Sequence, residues 1–149
     1  GQVVTLSGRN VLDDCYNANP ASTAAALRTL ATLRGAGRAI AILGDMLELG
    51  ADEAALHAGV GQVAADCSLS LLITVGQRAR HIAEAAAARG LATQHVESPQ
   101  AAAHVAAQAA SAGDWILIKG SRGMALEQVL DHLRALLSTK APTVPTATS

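Results

Sequence analysis

Three short segments of this chain concentrate side chains that can bind polar ligands. The first polar segment, residues 13–20, reads Asp-Asp-Cys-Tyr-Asn-Ala-Asn-Pro and holds two carboxylates, two carboxamides and the only tyrosine of the sequence. Asn19 and Pro20 are typical of the first turn of a helix, which gives these two a structural explanation. A loop that only turns the chain more often uses glycine and serine. We therefore predict that a ligand is contacted by the remaining polar members, Asp13, Asp14, Tyr16 and Asn17.

The second polar segment, residues 44–50, carries acidic side chains. Its sequence is Gly-Asp-Met-Leu-Glu-Leu-Gly, and Asp45 and Glu48 can point toward the same rim. The alternative is a simple turn in which the aspartate caps the helix that follows. The sequence leaves both explanations open.

The third polar segment, residues 119–123, carries cations. It reads Lys-Gly-Ser-Arg-Gly and places Lys119, Ser121 and Arg122 around two glycines. A predicted helix follows, and the amino-terminal end of a helix attracts anions. The pattern is typical of a carboxylate or phosphate site, and solvated charges on a flexible turn are the alternative.

Other motifs do not support a cofactor or metal site within the chain. Residues 59–64 match the letters of a dinucleotide-binding fingerprint, but they fall inside a predicted helix rather than after a strand. No segment has the order of a Walker phosphate loop, and the five histidines lack the spacing of metal ligands. His57 lies two turns into the helix predicted after the second polar segment, and it stays a candidate without an assigned role. Cys15 and Cys67 are too few for a disulfide scaffold, so we expect free thiols in a reducing cytoplasm.

Alternating strand and helix patterns indicate how the three segments are held. Short apolar runs predict strands at residues 3–6, 10–13, 39–43, 71–75, 93–97 and 115–119. Alanine-rich stretches predict helices at residues 21–33, 51–67, 77–89, 99–112 and 124–137. This alternation is typical of an α/β fold, here a three-layer Rossmann-like domain with a mostly parallel sheet of about six strands and helices on both faces. The first run adjoins a tight Ser7-Gly8 turn and can instead form an antiparallel edge hairpin.

Ligands of open parallel sheets bind beyond the carboxyl ends of the strands. The three polar segments follow the second, third and sixth predicted strands, so each of them starts at such an end. We therefore predict that all three share one crevice.

Composition excludes several classes of function. The 149 residues carry 11 basic and 12 acidic side chains, so there is no basic field for nucleic acid. No apolar run reaches the roughly 18 residues of a membrane-spanning helix. Residues 139–149 are rich in proline and threonine, and we predict a domain over residues 1–138 with a disordered tail. No initiating methionine or signal peptide opens the chain, and we expect it to be part of a longer protein.

Taken in order, the sequences around these segments resemble the carboxy-terminal domain of the Mur ligases. The matching stretches are VLDDCYNANPAS, AILGDMLELG with His57 after it, and ILIKGSRGM, and the resemblance runs from about Gly8 to about Leu137. The first two stretches are most similar to the branch that adds D-alanyl-D-alanine to UDP-N-acetylmuramoyl-tripeptide. The resemblance implies a three-domain enzyme, of which this chain would be the third domain, closing over ATP.

The resemblance also implies an activity, that of an ATP-dependent amide ligase of cytoplasmic peptidoglycan precursor synthesis. In that family the tripeptide carboxylate becomes an acyl phosphate, and the amine of D-alanyl-D-alanine then displaces the phosphate to form an amide. The phosphate loop, the Mg²⁺ ligands and a carbamylated lysine belong to the central domain of the family. The resemblance therefore assigns no catalytic residue and no metal ligand to this chain, and we expect the isolated chain to be inactive.

Site residues follow from the resemblance position by position. The adenosine and ribose side of ATP would meet residues of the first polar segment, namely Asp14, Tyr16, Asn17, Asn19 and Pro20. The carboxylate of the incoming dipeptide, or charge near the phosphates, would meet residues of the third segment, namely Lys119, Ser121 and Arg122. The dipeptide ammonium would meet Asp45 and Glu48, or these two would only order the rim. Such residues accelerate a reaction by aligning its reactants.

Two other functions stay open on the sequence alone. The chain can be a free-standing module that binds a nucleotide or another small ligand and regulates a partner without catalysis. It can also be an interaction domain whose polar loops bind nothing. The first alternative predicts tight ATP binding by the chain alone, and the second predicts that Asn17→Ala and Lys119→Ala leave activity intact.

Overall fold

A six-stranded sheet with helices on both faces carries the three polar segments. The computed structural model describes residues 1–138. The strands are β1 (Gln2–Leu6), β2 (Arg9–Asp13), β3 (Ala39–Gly44), β4 (Leu71–Val75), β5 (Thr93–Val96) and β6 (Trp115–Lys119). The α-helices are α1 (Pro20–Leu33), α2 (Glu53–Asp66), α3 (Arg80–Ala88), α4 (Pro99–Ala109) and α5 (Glu127–Ser138). Short 3₁₀ turns over Gly50–Asp52 and Arg122–Met124 come before α2 and α5.

The sheet has the strand order β1-β2-β6-β3-β4-β5. Every neighbouring pair is parallel except β1 with β2, which is antiparallel. The predicted mostly parallel α/β fold and the predicted edge hairpin are both confirmed. Ser7 and Gly8 connect the hairpin with positive φ angles of 48° and 80°. Positive φ at both central residues is what a two-residue hairpin turn needs to match the twist of its strands.

Both faces of the sheet are covered, which explains why the central strands are apolar throughout. Every residue of β3 is buried. On one face the strands pack against Leu30 of α1, Val60 of α2 and Ile82 of α3. On the other face they pack against Ala103 of α4 and Leu133 of α5. Because the two layers bury different faces of one sheet, the chain has the three-layer arrangement expected of parallel strands.

After the neighbouring strands β2 and β6, the chain turns to opposite faces of the sheet. Strands β2 and β6 are adjacent and parallel. The helix after β2 packs on one face of the sheet, and the helix after β6 packs on the other. Such a reversal opens a crevice at the carboxyl ends of the two strands, which is where α/β sheets of this kind bind ligands.

Two glycines let the ends of β3 and β6 approach each other. A Cβ atom at Gly120 would lie 3.2 Å from the Cα atom of Gly44 and would overlap the side chain of Leu126. Leu126 is buried and covers both glycines. The second and third polar segments therefore start side by side under one leucine.

Helix ends differ from the predicted ones by a few residues. Residues 77–79 form a turn before α3, and α4 ends at Ala109 because Ala110 is extended, with ψ of 139°. Ala125 has a left-handed φ of 57°, which separates the preceding 3₁₀ turn from α5. The predicted disordered tail, residues 139–149, lies outside the described residues. None of the helices described in residues 1–138 is long and apolar enough to cross a membrane.

Asp114 stabilises the opposite edge of the sheet, away from the polar segments. Its carboxylate accepts hydrogen bonds from the backbone N–H groups of Ser111 at 2.8 Å and Arg38 at 3.0 Å. The Arg38 guanidinium adds a third bond at 3.0 Å. Burial alone would raise the pKa of Asp114, but these hydrogen bonds and the arginine charge outweigh it and lower the pKa.

His95 is a largely enclosed histidine of β5, with 13% of its side chain exposed. Its Nδ1 atom lies 2.8 Å from the hydroxyl oxygen of Thr74. Its buried Nε2 atom lies 3.6 Å from Glu97 Oε2 and makes no hydrogen bond within residues 1–138. Burial, followed by the charge of Arg80, lowers the pKa of His95, while Glu97 and Asp45 oppose the shift. The ring is therefore held in its neutral form more strongly than a free histidine.

Candidate functional site

The three polar segments converge at the carboxyl ends of β2, β3 and β6. Hydrogen bonds connect all three: Ser121 N–H donates to the carbonyl of Asp45 at 3.1 Å, and Lys119 Nζ donates to the carbonyl of Asn17 at 2.9 Å. The predicted convergence of the three segments is thus realised in the geometry, and the cavity at this end is lined by residues of the first and third segments. What differs from the sequence-based expectation is the direction in which several of the side chains point.

Lys119 points into the protein rather than toward solvent. Its side chain is only 3% exposed. The ammonium group donates to Asp14 Oδ2 at 2.9 Å, to the Asn17 carbonyl at 2.9 Å and to the Asp14 carbonyl at 3.4 Å. A buried cation needs such compensation, since an unpaired charge in the interior is very costly. Lys119, the last residue of β6, therefore binds the first polar segment at two points, Asp14 and Asn17.

Ser121 joins the three segments from the centre. It is 6% exposed, and its hydroxyl oxygen accepts a hydrogen bond from the backbone N–H of Leu47 at 2.9 Å. The same hydroxyl lies 3.4 Å from the carbonyl oxygen of Ala18, which is a long and weak donor contact. One serine thereby touches the first and second polar segments while belonging to the third.

Asp45 is buried beneath the second polar segment. It is 4% exposed, and its Oδ1 atom accepts a hydrogen bond from the backbone N–H of Ala79 at 2.8 Å. Its Oδ2 atom lies 3.4 Å from Arg78, whose Nε atom donates to Glu53 at 3.0 Å. Gly76 has a φ of +107°, and a Cβ atom there would collide with the Asp45 carboxylate. This carboxylate therefore fixes the turn after β4 to the end of β3.

Arg78 and Glu53 were missed by the sequence analysis. Arg78 bridges the second polar segment and α2, and neighbouring Glu53, followed by Asp45, raises its pKa. The signal was present, because Arg78 comes shortly after β4, whose carboxyl end lies at the same edge of the sheet. Arg78 follows a strand, but no recognisable motif surrounds it, so the sequence pattern did not indicate a site residue there.

His57 is fully buried and hydrogen-bonded at both ring nitrogens. The backbone N–H of Met46 donates to Nε2 at 2.9 Å, and Nδ1 lies 2.6 Å from the carbonyl of Glu53. Since Nε2 accepts, the ring proton must be on Nδ1, which donates to the carbonyl. The histidine left without a role in the sequence analysis thus joins the second polar segment to the first turn of α2.

Glu48 is the exposed acidic residue of the second polar segment. Its φ is +64°, a left-handed conformation that is uncommon for residues other than glycine. No hydrogen bond or ion pair engages its carboxylate within residues 1–138. Strained backbone at an exposed loop tip is a feature that recurs at ligand sites.

Exposed groups of the first and third polar segments form the outer rim of the crevice. Tyr16 is 73% exposed, and the guanidinium of Arg122 lies over its ring, 4.3 Å from the centroid. A cavity of about 600 Å³ adjoins this pair and is also lined by Asp14 and Glu127. A cation over an aromatic face is stabilised by the ring electrons, so the pair presents one flat, positively charged surface.

The two carboxamides of the first polar segment have different roles: Asn19 caps a helix, and Asn17 is exposed at the crevice. Asn19 caps α1: its side chain accepts from Ser22 N–H at 2.8 Å, and the Ser22 hydroxyl accepts from Asn19 N–H at 3.1 Å. Pro20 occupies the first helical position. Asn17 is exposed, and its side-chain oxygen accepts from Ala18 N–H at 2.9 Å. That bond orients the amide NH₂ of Asn17, for which no partner is found in the described part of the chain.

Cys15 lies inside the first polar segment but is not an activated thiol. Its Sγ atom lies 2.9 Å from a carboxylate oxygen of Asp13. Burial, followed by this hydrogen bond and the charge of Asp13, raises the pKa of Cys15 to about 12. A thiol in such surroundings is protonated at neutral pH and is a poor nucleophile.

The acidic and histidine side chains do not assemble a metal site in the part of the chain that the structure describes. Over residues 1–138 there is no group of three or more His, Cys, Asp or Glu side chains that could hold an ion. Mg²⁺ prefers several oxygen ligands, including carboxylates. Within residues 1–138, the structure therefore shows no Mg²⁺ site formed by side chains of this chain alone.

Sequence comparison agrees with this arrangement of fold and polar segments. The family described as "Mur ligase, glutamate ligase domain" matches residues 1–122, and the chain belongs to that family. Its relatives define a narrower branch. The chain is 35% identical over 139 residues to UDP-N-acetylmuramoyl-tripeptide–D-alanyl-D-alanine ligase of Bacillus subtilis, and 34% identical over 125 residues to the ligase of that name from Escherichia coli.

Solved structures of the same branch have the same fold. The MurF ligase of Thermotoga maritima, solved in complex with ADP, superposes with a TM-score of 0.80 at 26% identity and covers 94% of this chain. A MurF structure from Acinetobacter baumannii gives a TM-score of 0.80 at 25% identity and covers 90% of this chain.

The chain matches only one part of these proteins. It spans 29% of the Bacillus subtilis relative, 26% of the Escherichia coli relative and 31% of the Thermotoga maritima chain. The resemblance drawn from the three polar segments is confirmed at the level of family and branch.

Proposed function

We propose that this chain is the third domain of an ATP-dependent ligase that adds D-alanyl-D-alanine to UDP-N-acetylmuramoyl-tripeptide in the cytoplasm. The proposal is supported by family membership, by relatives with that name and by a similar structure solved with ADP. The observation that carries it is the convergence of all three polar segments at the carboxyl ends of the strands, because these are the segments on which the resemblance to the family rests. The domain would position two substrates for amide formation in peptidoglycan precursor synthesis.

The nucleotide side of the site is the first polar segment. The exposed ring of Tyr16 suits a base, and the amide NH₂ of Asn17, which has no partner within residues 1–138, suits a sugar hydroxyl. Asp14 is 30% exposed, so its carboxylate can accept from a hydroxyl while it stays paired with Lys119. Asn19 and Pro20 would contribute by fixing the start of α1. ATP, when bound, supplies the phosphoryl group that activates a carboxylate.

On the amino-substrate side, some residues would contact the substrate and others would hold the segments in place. Arg122 and Glu48 are exposed and offer a cation and an anion, which are the charges that a dipeptide zwitterion needs. Asp45 and Ser121 are buried and already bonded, so we assign them to holding the second and third segments in place.

A turnover assay tests the proposal. The complete product of the gene, incubated with ATP, UDP-N-acetylmuramoyl-tripeptide and D-alanyl-D-alanine, should release phosphate and form the UDP-linked pentapeptide. We expect no product from the purified 149-residue chain, in which no segment has the order of a Walker phosphate loop. Product formed by that chain alone would refute the assignment as one domain of the ligase.

A binding measurement separates this function from a free-standing regulatory module. Titration of ATP into the 149-residue chain, followed by amide NMR shifts of the first polar segment, should give weak affinity. Most phosphate contacts of the family belong to another domain, so little binding energy is available here. Micromolar affinity without a partner domain would favour the regulatory module instead.

A further inference from the structure

We propose that Lys119 is a positioning residue of the nucleotide site, not a ligand of the amino substrate. This inference rests on the proposed function and assigns a different role from the one that the resemblance implied. It also accounts for a feature that a substrate ligand would not have, namely a charged side chain that is 97% enclosed by its own protein.

The donors of Lys119 are all used within the domain. An ammonium group has three hydrogens. Two of them point to Asp14 Oδ2 and the Asn17 carbonyl, each at 2.9 Å, and the Asp14 carbonyl at 3.4 Å takes the third direction. No hydrogen is left for a carboxylate in the crevice.

Recruitment of Lys119 by a substrate would also damage the site. The ammonium would have to leave Asp14, whose carboxylate is two-thirds enclosed and would lose its paired cation. Removing one member of an enclosed ion pair is strongly unfavourable because the other charge stays behind unpaired. Arg122 is exposed at the same rim and offers a cation at no such cost.

The bonds of Lys119 span the residues that would face the nucleotide. Asp14 and Asn17 stand on either side of Tyr16, and Lys119 is bonded to both of them. The cation thereby sets the distance between the Asp14 carboxylate and the backbone of Asn17, while the tyrosine ring stays outside. Two-point fixation of this kind preorganises a loop for its ligand and lowers the ordering cost of binding.

Kinetics of the complete enzyme with Lys119→Met test the inference. Methionine has a similar length and no charge, so packing is preserved while the three donors are removed. We expect KM for ATP to rise by about 10- to 100-fold, the range that corresponds to loss of a hydrogen bond to a charged group. KM for D-alanyl-D-alanine should stay within about twofold, since no donor of Lys119 reaches that substrate in this scheme.

Arg89→Met is the matched control. It also removes a cation and an ion pair, here with Asp66 at 2.6 Å, but it lies after α3 and outside the proposed site. It should change neither KM. A rise in KM for the dipeptide with Lys119→Met, alone or together with that for ATP, would overturn the inference, and so would a fall in kcat with both KM values unchanged.

A double variant separates positioning from direct contact. If Lys119 acts through Asp14, then Asp14→Asn combined with Lys119→Met should raise KM for ATP no more than the larger single change does. Fully multiplicative effects would show that the two residues act independently and would contradict the inference. Lys119→Arg, which keeps a cation near Asp14, should recover part of the loss and replaces the methionine variant if that one does not fold.

Amide hydrogen exchange tests the same inference without activity. In the 149-residue chain, Lys119→Met should speed exchange of the hydrogen-bonded amides of Asp14 and Ala18 by at least about tenfold, while Arg89→Met leaves it unchanged. Unchanged exchange in the Lys119 variant would overturn the positioning role. If the unmodified enzyme forms no UDP-linked pentapeptide, the proposed function fails, and hydrogen exchange still decides the role of Lys119.

Discussion

Ser121→Ala should loosen the contact between the second polar segment and the rest of the site. The change removes the hydroxyl that accepts from Leu47 N–H at 2.9 Å and faces the Ala18 carbonyl at 3.4 Å. No other acceptor for Leu47 N–H is found within residues 1–138. The variant therefore leaves a half-buried backbone donor without a protein partner.

The size of the effect follows from that unpaired donor. Leaving a buried donor unsatisfied costs about 1–3 kcal/mol. Leu47 is half-buried, so water can reach part of the gap and the cost should lie near the lower end, about 1–2 kcal/mol. For a domain of this size, 1 kcal/mol shifts Tm by roughly 3 °C, which predicts a loss of about 3–6 °C.

Ser70→Ala provides a matched comparison in the same chain. Ser70 Oγ donates to the Ala39 carbonyl at 3.1 Å, and the backbone N–H of Ser70 donates to the same oxygen at 2.8 Å. Removing this hydroxyl leaves no group unsatisfied, so it should cost about 0.5 kcal/mol or less. Both variants of the 149-residue chain are to be unfolded by urea and by heat, followed by circular dichroism. Equal losses for the two serines would refute the role of Ser121 as the link between the segments.

Three further predictions concern ionisable groups other than those that connect the polar segments through Ser121. Asp114→Asn should cost about 1–3 kcal/mol in urea unfolding while leaving substrate KM values unchanged, because it removes charge-assisted bonds at the edge of the sheet opposite the site. The lowered pKa of His95 means that the unfolded chain takes up a proton first, so the free energy of unfolding should fall as pH drops from about 7 to 5. That slope should flatten in His95→Gln, and an unchanged slope would contradict the assignment. Cys15, with its pKa raised to about 12, should be alkylated by iodoacetamide at pH 8 several hundredfold or more slower in the folded chain than in urea, as read by mass spectrometry.

The fold was predictable because its signals are local and repeated. Apolar runs such as residues 39–43 and 71–75 are buried strands, and the Ser7-Gly8 turn is the hairpin connection that its composition indicated. Helix ends were less accurate, since a left-handed residue such as Ala125, which separates the 3₁₀ turn from α5, leaves no mark in composition. The convergence of the three polar segments also followed from sequence, since parallel strands end at one edge.

The direction of individual side chains was not predictable in the same way. Lys119, Ser121 and Asp45 stand at strand ends, where polar residues usually face a ligand. Their burial arises from contacts between segments that are distant in sequence, such as Lys119 with Asp14 and Asp45 with Ala79. No periodicity within one segment encodes a hydrogen bond to another. His57 is a similar case, because its two bonds become apparent only when α2 is packed beside the second polar segment.

A domain that positions substrates requires both buried residues that bond to one another and exposed residues that contact the ligand. A site that makes no bonds itself accelerates a reaction by holding its contact groups in fixed relation, and a misplacement of about 1 Å can cost 100-fold. Here the contact groups at the rim, such as Tyr16 and Arg122, lie on segments whose inner residues are bonded to one another. The inner bonds are long-range, so the geometry of each segment depends on the particular residues that bond it to another, as the first segment depends on Lys119. Variants of inner residues should therefore change stability and KM together, whereas variants of rim residues should change KM alone.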